Sequence, residues 1–318
     1  MPITPAVQSL ADRLAARTAR HDMRSRWFGA GRTVIAVAQL GFLLLTPMKA
    51  LLVPVVGMGD YPHCNSVRAA SALCLGSSGA AHEAQRWLLV VIVAVAASGY
   101  RPRWTVIPHA WATYSIAVSI AVPDGGESVA MIMCFLMIPI GLADDRIWHW
   151  QQPTRELAPS WRTITFVAFL AVRVQIAYLY LDSAVSKFGV ADWANGTAEY
   201  YFLRDNMFGV AKPWDGLFLA LSKNALVVVA LTWGALVIEI AIGICVLASD
   251  RWRKAGLAMD IVLHGSIILT MGLWSFAMVM IGSAVVCATP EGRATPLPRR
   301  GAGNCATSHE RPAAFAQA

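Results

Sequence analysis

Long apolar runs alternate along this chain with short polar and basic segments. A membrane-crossing helix needs about 20 mostly apolar residues. Runs that reach or approach this length lie at 33–56, 87–100, 104–122, 129–143, 164–187 and 226–248. The run 87–100 is short, so its helix is expected to begin a turn earlier, within 80–86. The last run, 255–288, is too long for one helix, and Gly272 near its middle divides it in two. The pattern predicts an all-α polytopic membrane helical bundle of about eight transmembrane helices.

Composition agrees: 57% of residues are hydrophobic, 14% are charged and the mean hydropathy is +0.53. Soluble domains run nearer 45–50% apolar and about 25% charged. The net charge of +7 changes the picture only through its placement. The basic residues fall in clusters between the apolar runs, and no continuous basic face exists to hold nucleic acid. An even number of spans puts both ends of the chain on one side. Most of the 26 Lys and Arg then share that side, which is the cytoplasm by the positive-inside rule. Three regions follow: a basic cytoplasmic N-terminal arm over 1–32, a transmembrane domain over 33–288, and a disordered cytoplasmic tail over 289–318, rich in Pro, Gly, Ala and Arg. The arm reads equally as an interfacial helix or as a simple topogenic segment. The first apolar run, beginning near Thr33 after the arginine-rich arm, reads as a retained span.

Ionisable groups inside a bilayer are costly and usually face a bundle interior or a wet cavity. Here they are Lys49, His109, Arg173, Asp182, Glu239, Asp260 and His264, with Lys187 ending the fifth run. The fifth run is the densest. Ser183 and Lys187 share a helix face, as do Tyr178 and Asp182, each pair being four apart. Lys187 has two readings: a snorkelling anchor, or a base held near low-dielectric surroundings. Asp182, a turn deeper, snorkels less easily and so marks a polar cavity. Asp260 and His264 are four apart. They read either as a carboxylate orienting an imidazole or as a packed polar pair. Glu239 sits mid-run among apolar neighbours and needs a partner; by depth alone Arg173 and His264 are the candidates.

Cys64 and Cys74 share the first outer loop, where an oxidising exterior permits a disulfide. The remaining cysteines lie in runs or in the tail. No spacing of His, Cys or acids points to a metal site. "PDGGES" reads as a turn, and "WHW", Trp148 to Trp150, as an interface marker. The outer loop from Phe188 to about Ala225 is rich in aromatics, including Trp193, Tyr200, Tyr201 and Trp214. It reads either as an aromatic belt or as a substrate loop formed by Trp193, Asn195, Tyr200 and Tyr201.

Several stretches carry a resemblance in order: "RSRWFGAGRTVIA", "CNSVRAASALCLG", "ASGYRPRWTVIPHAW", "DGGES", "DDRIWHW", "LDSAVSKFGVADWANGTAEYY", "LTWGALVIEI" and "HGSIILTMGLWSFAMVMIG". The set resembles the SdpB-like family of bacterial membrane proteins, with an HTTM-type membrane domain, and is distantly similar to the membrane part of vitamin K-dependent gamma-glutamyl carboxylase. The resemblance implies a bacterial plasma-membrane protein that works, with a partner protein of the same system, in maturing a secreted antimicrobial peptide of the sporulation-delaying type. It matches Lys187 to a lysine base that deprotonates a reduced quinone. A catalytic reading of the residues then makes Asp182 the tuner of Lys187, with His264 and Asp260 lining the same cavity. The chain lacks the large lumenal domain of the carboxylase. Two other functions fit the residues: a non-catalytic toxin-binding chaperone, export or immunity protein, and a small-molecule transporter. The expected partners are the lipid bilayer and a secreted precursor peptide.

Overall fold

The computed structural model describes residues 8, 9, 12, 18, 21–54, 57, 61–76, 79–121 and 124–290. Most of the basic arm, and all but the first two residues of the tail expected to be disordered, lie outside these residues. Among the described residues there is no β-strand, and eight helices have 14 or more residues. These are α1 (Arg26–Leu45), α2 (Gly79–Ser98), α3 (Pro102–Ser119), α4 (Gly125–Leu142), α5 (Pro159–Phe188), α6 (Ala225–Leu247), α7 (Asp250–Met271) and α8 (Trp274–Cys287). Five of them, α1, α4, α5, α6 and α7, are long and apolar enough to cross a membrane. The first two turns of α2 carry His82, Glu83, Gln85 and Arg86, and α8 has only 14 residues.

Local chemistry sets the helix ends. Ser25 accepts from the Trp27 amide and caps α1, while Pro47 follows its last turn. The helix therefore starts seven residues before the expected Thr33 and stops at Leu45 rather than Val56. Two consequences follow. Arg32, assigned to the arm by its charge, lies inside the bundle at 1% exposure. Lys49, expected inside the first span, is exposed in a short turn over Met48–Leu51. Asp124 accepts from the Gly126 amide and caps α4, so the first residues of the "PDGGES" turn already belong to the helix. Asn224 caps α6 in the same way. The break between α7 and α8 falls at Gly272, whose φ of 70° gives a left-handed helix end that glycine adopts without strain.

Packing follows chain order, and α8 closes the bundle by lying against α1, α4, α5 and α7. The α1–α8 crossing is close because Gly31 and Gly282 face each other. A Cβ on Gly31 would come within 2.6 Å of the Gly282 carbonyl oxygen. Small residues at a helix crossing let backbones approach where apolar burial gives no net drive. One core cluster includes side chains of α1, α3, α4, α5, α6 and α8. A second joins α1, α2 and α3 to the first loop, where Cys64 and Cys74 form the expected disulfide.

The loop after α4 is an ordered clasp, which a reading of "WHW" as an interface marker does not capture. Tyr100 and Trp148 form an isolated antiparallel bridge. The His149 amide donates to the Gly99 carbonyl at 3.0 Å. The His149 ring fills the space left by two glycines: a Cβ on Gly99 would lie 2.3 Å from His149 Nε2, and one on Gly29 2.7 Å from the ring. Arg146 grips both Asp144 oxygens at 2.7 and 2.6 Å and donates to the His149 and Gln151 carbonyls at 2.7 and 2.8 Å. Arg24 adds the segment before α1, pairing with Asp22 and Asp145 at 2.8 and 2.9 Å. Burial pushes the Asp22 carboxyl up, but the hydrogen bonds and charge of Arg24 outweigh it and hold the group below its ordinary range. For His149, burial first and the charges of Arg32 and Arg146 second bring the imidazole down to about 3.

Candidate functional site

The site forms at the opposite end of the bundle, where α5 ends. Lys187 lies in the last turn of α5, one turn beyond Ser183, whose hydroxyl oxygen accepts from its ammonium at 3.1 Å. The chain leaves α5 at Gly189 and folds back through a short turn at Ala191–Ala194. This return brings the Trp193 ring under the ammonium, 5.0 Å from its centroid, within range of a cation–π contact. From the neighbouring helix α6, Glu239 Oε1 forms an ion pair with Lys187 Nζ. The partner of Glu239 is therefore Lys187, not Arg173 or His264.

These groups line a cavity of about 460 Å3 between α6, α7 and the loop after α5. Its walls are mostly apolar, with Phe202, Phe218, Ile238 and Leu263 among them, and its polar end holds Lys187, Glu239 and Glu199. Glu239 Oε2 is buried and has no hydrogen-bond partner among the described residues. Such a group is costly unless something in the cavity bonds it. Glu199 enters from the helical turn Ala198–Phe202, whose amide at Glu199 donates to the Thr232 hydroxyl at 3.2 Å. Burial pushes the Glu199 carboxyl above its ordinary value, against the opposing charge of Lys187. The loop is fixed further by the Trp233 indole, which donates to the Trp193 carbonyl at 3.2 Å, and by the Ala211 amide, which donates to the Thr270 carbonyl at 2.8 Å.

The structure separates other residues that the sequence groups together. Asp182 is exposed on α5 and is not among the cavity's lining residues. Five residues from Lys187 is about 140° around a helix, so the two point apart. Asn195 is exposed, and so are Tyr200 and Tyr201, at 40% and 56%; of the four expected loop residues, Trp193 alone lines the cavity. Asp260 and His264 are fully packed inside the bundle, at 0% and 3% exposure, and do not line the cavity either. The Tyr180 hydroxyl donates to Asp260 Oδ1, and His264 Nδ1 lies 3.2 Å from the same oxygen. Phe276 packs on the His264 ring at 5.5 Å. Arg173 lies elsewhere, stacked on Phe169 at 4.3 Å and donating to the Cys287 and Thr289 carbonyls. A further polar cluster escapes a reading by span, since its parts come from three helices. His109 Nε2 meets Gln39 Oε1 at 2.9 Å, and Gln39 Nε2 donates to Thr113 at 3.1 Å beside Cys134. Among the described residues, no group of three His, Cys, Asp or Glu is placed to hold a metal ion.

Comparison with known proteins gives two relatives, both from Bacillus subtilis (strain 168). The chain is 33% identical over 279 residues to the uncharacterized protein YitO, covering 85% of this chain and 88% of that protein. It is 29% identical over 229 residues to the sporulation-delaying protein SdpB, covering 71% of each. No family model matches the chain, and no solved structure matches it significantly. The identity to YitO over most of both chains, together with the likeness to SdpB, places this chain in the SdpB-like family.

Proposed function

We propose that this chain is a bacterial plasma-membrane factor for producing a secreted antimicrobial peptide, acting at the outer face of the membrane with Lys187 as its base. The observation that carries this reading is the Lys187–Glu239 pair at the polar end of an otherwise apolar cavity. A snorkelling anchor would reach for headgroups, whereas this lysine bends inward to a carboxylate from another helix. Glu239 Oε1 is placed to exchange a proton with Nζ, which is what an amine acting as a base needs. Glu239 would then play the tuning part that the sequence gives to Asp182, and Trp193 and Glu199 would cover the amine.

The distant likeness to the carboxylase membrane domain suggests a reduced quinone as cofactor, and the lining fits one: apolar walls for the ring and chain, and unsatisfied Glu239 Oε2 at the polar end. Such a molecule, when bound, supplies an acidic hydroxyl whose proton Lys187 accepts. The expected test is mass spectrometry of the secreted peptide. Lys187→Met and Glu239→Gln should each abolish the mature form while membrane levels of the protein stay normal. Unchanged mature peptide from Lys187→Met would remove the catalytic reading.

A non-catalytic role in binding the toxin for export or immunity is favoured by a different observation. The loop exposes Tyr201, Met207 and Trp214 at 56%, 67% and 44%, an apolar surface suited to a peptide partner. Under that reading Trp214→Ala impairs peptide output or protection more than Lys187→Met does.

A further inference from the structure

A second crevice lies at the arm end of the bundle, between α5 and the turn that joins α6 to α7. It encloses about 560 Å3. The His21 ring packs on Phe166 at 5.2 Å and the Thr289 carbonyl accepts from Arg173, so residues before α1 and after α8 touch side chains that line it. It shares no lining residue with the Lys187 cavity.

Its two sides differ in chemistry. Phe166, Phe169 and Leu170 on α5 and Leu247 on α6 form an apolar side. Leu170 and Leu247 are 47% and 52% exposed, so this side continues onto the outer helix surface. Arg173, Arg251 and Arg253 line the crevice against one acid, Asp250, among its lining residues. Arg253 pairs with Asp250 and donates to the Ala248 carbonyl at 2.6 Å. Arg173 is bound to the carbonyls that end α8. Both guanidinium groups are thus held in the wall, while Arg251 is exposed at the rim. The crevice keeps an excess of positive charge beside a strip of exposed aliphatic surface, at the level where two long helices begin or end.

We propose that this crevice binds the phosphate headgroup of an anionic phospholipid, with an acyl chain lying along Leu170 and Leu247. The arginines alone would suit any phosphate. The continuous apolar side is what favours a lipid over free phosphate, and basic pockets between helix ends are suited to anionic headgroups.

The test uses the full chain purified in neutral detergent and offered equal amounts of phosphatidylglycerol and phosphatidylcholine, with retained lipid read by native mass spectrometry. Wild-type protein is expected to retain phosphatidylglycerol preferentially. Arg251→Gln, a change at an exposed rim position, should lower that retention about fivefold, the loss expected for one cation near a headgroup. Ala248→Trp, which fills the crevice without removing charge, should lower it as well. Equal retention of the two lipids, or unchanged retention in both variants, would overturn the proposal. Displacement of the lipid by millimolar inorganic phosphate would also overturn it, by making this a free-phosphate site.

Discussion

At the arm end, Asp144 and Arg146 are both 2% exposed, and each Arg146 nitrogen that reaches the pair or the clasp has an acceptor. At the other end, Lys187 and Glu239 keep 24% and 11% of their side chains exposed, and Glu239 Oε2 has no partner among the described residues. The first pair closes a loop: its charges are spent on carbonyl oxygens and a carboxylate within eight residues of sequence. The second joins two helices across a cavity and leaves hydrogen-bonding capacity open. A satisfied buried pair fixes structure, whereas a partly satisfied pair on the wall of an apolar cavity keeps a polar atom available to a bound molecule.

Breaking each side tests that contrast. The largest loss of stability is expected for Arg146→Ala, which strands Asp144 in the clasp. A buried charge without its partner costs about 3–5 kcal/mol, readable as a lower unfolding midpoint in detergent. Gly99→Ala comes next. Its φ of 80° and the approach to His149 should cost about 2–3 kcal/mol. Acid should weaken the same clasp through His149. In the unfolded chain the ring takes a proton near its ordinary value of 6.5, whereas in the fold it stays neutral down to about 3. Unfolding therefore binds a proton across that window, and the stability present above pH 6.5 drains as pH falls toward 3. His149→Gln should flatten this part of the pH profile, by no more than about 1.4 kcal/mol per pH unit. The smallest effect belongs to Asp182→Asn, an exposed change expected to stay within about 0.5 kcal/mol and to leave mature peptide output intact. Loss of output from Asp182→Asn alone, with Glu239→Gln silent, would reverse the assignment of the carboxylate that serves Lys187.

Apolar run length and helix-end residues were enough to read an all-helical bundle and the break at Gly272, because burial in lipid demands long apolar runs and a left-handed turn demands a residue without Cβ. The disulfide in the first loop was legible too, since both its cysteines fall in one expected outer loop, where an oxidising exterior permits the bond. Helix starts were less legible: Arg26 and Arg32 looked like arm, yet Ser25 caps a helix that carries Arg32 into the core. At the site, Lys187 and Trp193 stood out because they share one stretch of chain. Glu239 stood out only as an acid in need of a partner and Glu199 not at all, because their relation to Lys187 depends on how α6 and the returning loop pack against α5.

Which segments are helical, the break at Gly272 and the lysine that ends the densest polar run could be read from the chain alone, since these depend on local propensity and on residues within a turn of one another. Which charges meet was settled by helix packing. The packing of α6 on α5 put Glu239 beside Lys187, where Asp182 had been expected. Helix packing also decided that Asp260 and His264 are packed against Tyr180 and Phe276 rather than opened to a cavity. The reason is physical: a helix fixes the direction of each side chain, but the partner it finds is set by the neighbouring helix, and that choice is made by the packing of the whole bundle.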